Sequence, residues 1–290
     1  MSDMLYEAPG TLRAALALLS GANGKARVMA GGTDLLIQMR SGRIEPELLV
    51  DIKHIPDLRA IALKRGGFQF GSAVTCMELI EHEAFARAWP GVIDGVKLIG
   101  SIQVKGRATV GGNVCNASPA ADSVPALIAA GALARIVGPD GKRDVPVEDI
   151  PTGPGKTSLA SGEIVVSFIL PKRLPRSGDA YLRFIPRTEM DIAVVGAGVN
   201  LTLDRRGFCT LARVSLGAVA ERALLVSEAA AALVGTKVDD AALRQLAAAA
   251  SAACRPIDDK RGTKEFRFKV AGVLARRAAE IALQRAGRKN

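Results

Sequence analysis

Aromatic residues are scarce in this 290-residue sequence: Phe, Trp and Tyr together make up 4% of it, with a single tryptophan. A single-strand nucleic-acid binder stacks bases on aromatics set along a basic stripe, and no such interleaving occurs here. Histidine is scarcer, with only His54 and His82, and the four cysteines (Cys76, Cys115, Cys209, Cys254) include no C-x-x-C pair. That set lacks the spacing of a zinc or iron–sulfur site, so the cysteines read as reduced, mostly buried thiols. Also missing is any apolar run of the roughly 18 to 20 residues that crosses a bilayer. The N-terminal stretch MSDMLYEAPG has acids and a proline where a signal peptide has basic residues and then an apolar core. The expected location is the cytoplasm.

What is present is an ordinary globular balance, 49% hydrophobic and 23% charged, in a chain long enough for two domains. The net charge of +10 is uneven. Residues 1–177 hold 20 basic and 17 acidic side chains, and residues 178–290 hold 19 and 12. The excess lies in the C-terminal part, most of it in RGTKEFRFKVAGVLARRAAEIALQRAGRK, which reads as a solvated helical face or a docking surface for an acidic partner.

Along the chain, residues 11–20 read as a helix with Thr11 as N-cap, followed by a strand over 27–30 that ends in Gly31-Gly32. A helix over 33–40 capped by Thr33 or Asp34, a strand over 48–52 and a hairpin of 60–63 with 68–71 come next. Helices are expected over 75–88, 91–99 and 123–130, with 108–122 as a loop. Strands follow at 134–137, 143–145 and 163–170. PKRLPRSG (171–178) is the best linker candidate, giving domains 1–176 and 177–290. The second reads as strands near 180–186, 192–203 and 208–219, then helices near 226–234, 239–253 and 263–286. Strands followed by helices make an α+β domain with an antiparallel sheet.

Two glycine motifs are decoys. TGPGKT (152–157) lacks the first glycine of a phosphate-binding P-loop, since position 150 is Ile150, and it reads as a surface loop. VGAGVN (195–200) lacks the third glycine of the dinucleotide fingerprint, whose place falls at Leu201, and runs on into a hairpin, so its glycines read as close packing contacts in a strand.

Two other segments carry more. In Met29-Ala30-Gly31-Gly32-Thr33-Asp34-Leu35 a strand ends in two glycines and a helix begins, which lets backbone amides approach an anion. In TVGGNVCNASPAAD (109–122) a long run of small and polar residues offers amides together with Thr109, Asn113, Ser118 and Asp122. That chemistry suits a pyrophosphate and a ribityl chain.

AGGTDLL followed about 80 residues later by ATVGGNVCNASPAAD resembles the pair of loops that brackets FAD in the flavoprotein subunits of the xanthine dehydrogenase and carbon monoxide dehydrogenase family. The resemblance continues through EIVVSFILP, YLRFIPRTEMDIAVV and PIDDKRGTKEFRFKVAGVLARRA, and so covers essentially the whole chain. It implies an α+β fold: an FAD-binding domain of the vanillyl-alcohol-oxidase (PCMH) type, made of two α+β subdomains, then a smaller α+β domain with an antiparallel sheet and helices.

The resemblance also implies site residues. Met29, Ala30, Gly31, Gly32, Thr33, Asp34 and Leu35 would wrap the pyrophosphate. Thr109, Gly111, Gly112 and Asn113 would form the second phosphate and ribityl contact. Ser118 and Asp122 would bond the ribityl or isoalloxazine side. Ile99 would lie by the adenine, Val165 would contact the flavin, and Arg183 stands where the family often has Lys. Cys115 would pack near the ring without a redox role. In such enzymes substrate is oxidised at a molybdopterin cofactor in a large subunit. Electrons then pass through 2Fe-2S clusters in a small subunit to FAD in the medium one, and on to NAD, a quinone or oxygen. A dimer of heterotrimers is the implied assembly. The alternative is a self-contained flavin oxidase or reductase of the same fold, which needs a base of its own.

Overall fold

A computed structural model describes residues 4–187 and 190–287. The first three residues of MSDMLYEAPG, Thr188-Glu189 of the YLRFIPRTEMDIAVV stretch, and Arg288, Lys289 and Asn290 at the end lie outside the described residues.

Among the described residues the N-terminal part holds two larger sheets and a two-stranded ribbon of Pro151–Gly153 with Lys156–Thr157. A small parallel sheet runs in the order Leu5–Glu7, Leu48–Asp51, Ala26–Met29. Beside it the helix Leu12–Gly21 starts as expected, with the Thr11 hydroxyl accepting from the Ala14 amide at 3.2 Å. A five-stranded antiparallel sheet follows the order Ile61–Lys64, Gly67–Gly71, Ile164–Ile169, Leu133–Gly138, Gly141–Pro146. Its central strand separates two cores. Ile164 and Val166 face the parallel sheet with Val50, Ile52 and Leu58, while Val165 and Phe168 face Phe70, Val110, Val114 and Leu127. A bulge between Val165 and Ser167 shifts the alternation from one face to the other.

The C-terminal part is an antiparallel sheet ordered Ser177–Phe184, Val195–Leu203, Cys209–Gly217, Leu224–Leu225, covered by the helix Lys264–Gly287, on which Asp240–Ala253 packs in turn. All nine residues of Val195–Leu203 are buried. Val195, Ala197, Val199 and Leu201 join the core under those helices. Gly198 sits on the other face, where an added Cβ would lie 2.8 Å from the Pro125 carbonyl oxygen. The VGAGVN glycines are thus close packing contacts, with the helix Ser123–Ala130 seated directly on the strand.

Several expectations need correction. The segment 75–88 is two helices, Cys76–Glu81 and Glu83–Ala88, because His82 takes an extended ψ of 90° and its ring nitrogen Nδ1 accepts from the Phe85 amide to start a new helix. The helix expected over 91–99 is Pro90–Val96, with the proline in its first turn. The 108–122 loop contains a helix, Val110–Cys115, capped by the Thr109 hydroxyl on the Gly112 amide at 2.9 Å. Of the two expected caps, Asp34 takes the N-cap position of Leu35–Arg40 but makes no side-chain cap bond.

Candidate functional site

The two small-residue segments meet. An added Cβ on Gly31 would lie 2.9 Å from the Cα of Ala108, so the first segment runs backbone against backbone past the start of the second. Between them opens a cleft of about 610 Å³, within the usual range for a cofactor site.

One wall is the strand end and turn. Met29, Ala30, Gly31, Gly32, Thr33, Asp34 and Leu35 all line it. Gly32 holds φ at +75°, the left-handed turn that takes the chain from strand into helix. Asp34 makes no side-chain cap bond to the first turn of Leu35–Arg40, where the Leu36 amide donates to the Gly32 carbonyl at 3.1 Å. Crowding by the cleft walls pushes the Asp34 carboxyl above its ordinary value.

The second wall is built from below. Thr75 and Glu78 form a capping box, with Thr75 Oγ1 accepting from the Glu78 amide at 3.2 Å and Glu78 Oε2 accepting from the Thr75 amide at 2.8 Å. The Cys76 amide in turn donates to the Ala108 carbonyl at 2.8 Å, and Thr75 pairs with Thr109 as an isolated bridge. This anchors Thr109, Gly112, Asn113 and Ser118 along the cleft, with Ile99 lining it as well. The Asn113 side chain is fixed by the Ser123 hydroxyl, which donates to Asn113 Oδ1 at 2.6 Å. Cys115 also lines the cleft, and burial of its thiol pushes it up to about 12. A protonated thiol packs; it does not act as a nucleophile.

Four residues expected at the site do not line the cleft. Gly111 is buried against Ser72, where a Cβ would meet the Ser72 carbonyl. Val165 lies in the core beneath the helix Val110–Cys115. Asp122 and Arg183 pair with each other: Arg183 Nη1 donates to Asp122 Oδ2 at 2.6 Å, and the Tyr181 hydroxyl donates to Asp122 Oδ1 at 2.9 Å. Burial pushes the Asp122 carboxyl up to about 6, against the pull of Arg183 and Tyr181. These three tie the end of the second segment to the first strand of the C-terminal sheet.

Other lining residues escaped the sequence reading. Pro154 and Gly155 of the TGPGKT decoy form a third wall, since the Gly155 amide donates to the Ala117 carbonyl at 3.1 Å. Gln38 and Asn116 face each other, Gln38 Nε2 donating to Asn116 Oδ1 at 2.9 Å. Gln38 was discoverable, because it lies one helical turn beyond Asp34 and so on the same face. Backbone amides on two sides, few charges and an apolar floor fit a long dinucleotide better than a metal. Among the described residues no group of three or more His, Cys, Asp or Glu is placed to hold a metal ion.

Residues 2–173 match the model of the FAD binding domain in molybdopterin dehydrogenase, and residues 180–282 match that of the CO dehydrogenase flavoprotein C-terminal domain. The chain belongs to this family of FAD-binding dehydrogenase subunits. It is 34% identical over 281 residues to the carbon monoxide dehydrogenase medium chain of Afipia carboxidovorans, with 97% of each chain covered. It is 32% identical over 286 residues to the putative xanthine dehydrogenase FAD-binding subunit of Escherichia coli, covering 98% of this chain and 97% of that one. Its fold superposes on a solved structure of reconstituted CO dehydrogenase from Oligotropha carboxidovorans with a TM-score of 0.93, at 34% identity and covering 97% and 98% of the two chains. FAD is the cofactor of the family's domain, and the cleft's donor set fits it. No helix among the described residues is long and apolar enough to cross a membrane.

Proposed function

We propose that this chain is the FAD-carrying subunit of a molybdenum hydroxylase, taking electrons from a 2Fe-2S subunit and passing them from the flavin to NAD, a quinone or oxygen. The observation that carries the reading is the backbone contact of Gly31 with Arg107 and Ala108, which sets two amide-rich walls around one cleft.

Residues 1–176 form the FAD-binding domain and residues 177–290 the C-terminal domain. Amides of Gly31, Gly32 and Thr33 and of the Leu35–Arg40 helix start hold the pyrophosphate on one side. Thr109, Gly112 and Asn113 hold phosphate and ribityl oxygens on the other, Ile99 packs by the adenine, and Ser118 meets the ribityl or ring side. Gly111 and Val165 act from behind the lining by letting the Val110–Cys115 helix press onto the core. Asp122 and Arg183 fix the C-terminal domain against the flavin end. When bound, FAD supplies both one-electron and two-electron redox chemistry, and the chain's part is to hold it, orient it and keep water from it.

Molybdopterin belongs to a large partner subunit and the 2Fe-2S clusters to a small one, in a cytoplasmic assembly that is a dimer of heterotrimers. The competing reading, a flavin enzyme complete in one chain, needs a base beside the ring. His54 is exposed on a turn and His82 caps a helix, and neither lines the cleft.

Co-expression with the two partner subunits decides between them. Anaerobic addition of the large subunit's substrate bleaches the flavin absorption only in the full complex on this reading. Bleaching by substrate in the isolated chain would instead establish the self-contained enzyme.

A further inference from the structure

We propose that Gln38 and Asn116 are positioning residues that hold the cleft at the width its cofactor needs; the inference rests on the cleft being the FAD site. The two amides are 78 positions apart and joined by the bond from Gln38 Nε2 to Asn116 Oδ1 at 2.9 Å. Gln38 belongs to the first wall, on the helix that starts after Asp34. Asn116 belongs to the second, as the C-cap of the Val110–Cys115 helix.

A second observation places a junction at the same point. Ala117, the next residue, is buried and holds φ at +50°, a left-handed conformation that an alanine adopts at a cost of about 1 kcal/mol. Its carbonyl receives the Gly155 amide from the third wall. Asn116 and Ala117 therefore connect all three walls: the first through a side-chain bond, the second through the chain itself, the third through a backbone bond. Strain kept at one residue marks a place the surrounding contacts over-determine.

Both amides are half-buried and line the open cleft. In the cofactor-free chain, water replaces their bond at little cost. Once a cofactor fills the cleft and expels that water, the bond strengthens and its loss is felt. The pair therefore governs cofactor affinity without governing the stability of the empty fold. That asymmetry distinguishes a positioning role from plain structural support.

The test titrates the full-length, flavin-free chain with FAD and follows quenching of flavin fluorescence. Gln38→Leu and Gln38→Asn each weaken binding about fivefold to tenfold, the effect of one net hydrogen bond. The double variant Gln38→Asn with Asn116→Gln exchanges the two side-chain lengths and restores affinity to within about twofold of the parent. The melting temperature of the flavin-free chain stays unchanged in all three variants. Unchanged affinity in the single variants overturns the proposal, and so does a double variant no better than the singles. A fall in flavin-free melting temperature that tracks the affinity loss overturns it too, by making the pair ordinary fold support. Parent protein that takes up no FAD instead overturns the flavin reading on which the proposal stands.

Discussion

Gly31 has no room for a methyl group, because its Cβ would fall onto the Arg107 carbonyl. Gly31→Ala must push the two walls apart, at a cost of about 1–3 kcal/mol typical of overpacking. Purified variant is expected to carry less than about a tenth of the parent's flavin, read from absorbance per chain, with the melting temperature a few degrees lower. Full flavin content in Gly31→Ala would show that the close approach does not matter. Asp122 gives a second residue-scale prediction. Its carboxyl, pushed up to about 6 by burial, lies above the unfolded value near 4. A raised carboxyl stabilises fully below the unfolded value, and that contribution is lost as pH rises through the folded one. The stability advantage of the parent over Asp122→Asn therefore shrinks between pH about 4 and about 6, by an amount on the order of 3 kcal/mol. Melting curves of both proteins across that window check it; a constant difference contradicts it.

At the scale of elements, the Thr75–Glu78 capping box both starts a helix and anchors Ala108 and Thr109. Thr75→Ala should cost about 1 kcal/mol in denaturant unfolding and weaken FAD binding as well, although Thr75 does not line the cleft. The long helix Lys264–Gly287 reaches the N-terminal part through Arg285, which donates to Asp94 at 2.6 Å and to the Asp179 carbonyl at 2.7 Å. Much of the element order was legible. The hairpin across Gly66-Gly67 and the turn at Gly138 to Gly141 fall where glycines mark them, and the three C-terminal helices fall close to their expected bounds. The helix Val110–Cys115 was not legible, because VGGNVC carries two poor helix formers. It forms because Thr109 caps it and because Val110 and Val114, one turn apart, are buried together. Of the cleft, the two glycine walls were readable from local chemistry. The third wall was not, since only the long-range fold brings Gly155 to Ala117, and nothing in TGPGKT encodes that distance. Asp122 and Arg183 were expected to reach the cleft separately, and their mutual ion pair depends on a strand that starts some 60 residues later.

At the scale of the whole molecule, the excess positive charge of the C-terminal part is partly spent within the chain. Arg276 pairs with Asp240 at 2.7 Å and Glu280 at 3.0 Å, whereas Arg277 is exposed on the same helix. Arg277→Glu, which spares that network, is therefore the cleaner probe of a basic docking face. Weaker retention of the partner subunits in salt-washed co-purification supports the face, and unchanged retention removes it. One cleft holding one cofactor is the central requirement, and calorimetric titration of the flavin-free chain with FAD measures it directly. One equivalent bound per chain, lost on replacing Gly31 by valine, is the predicted result. Absence of saturable binding, or binding that survives Gly31→Val intact, would contradict it.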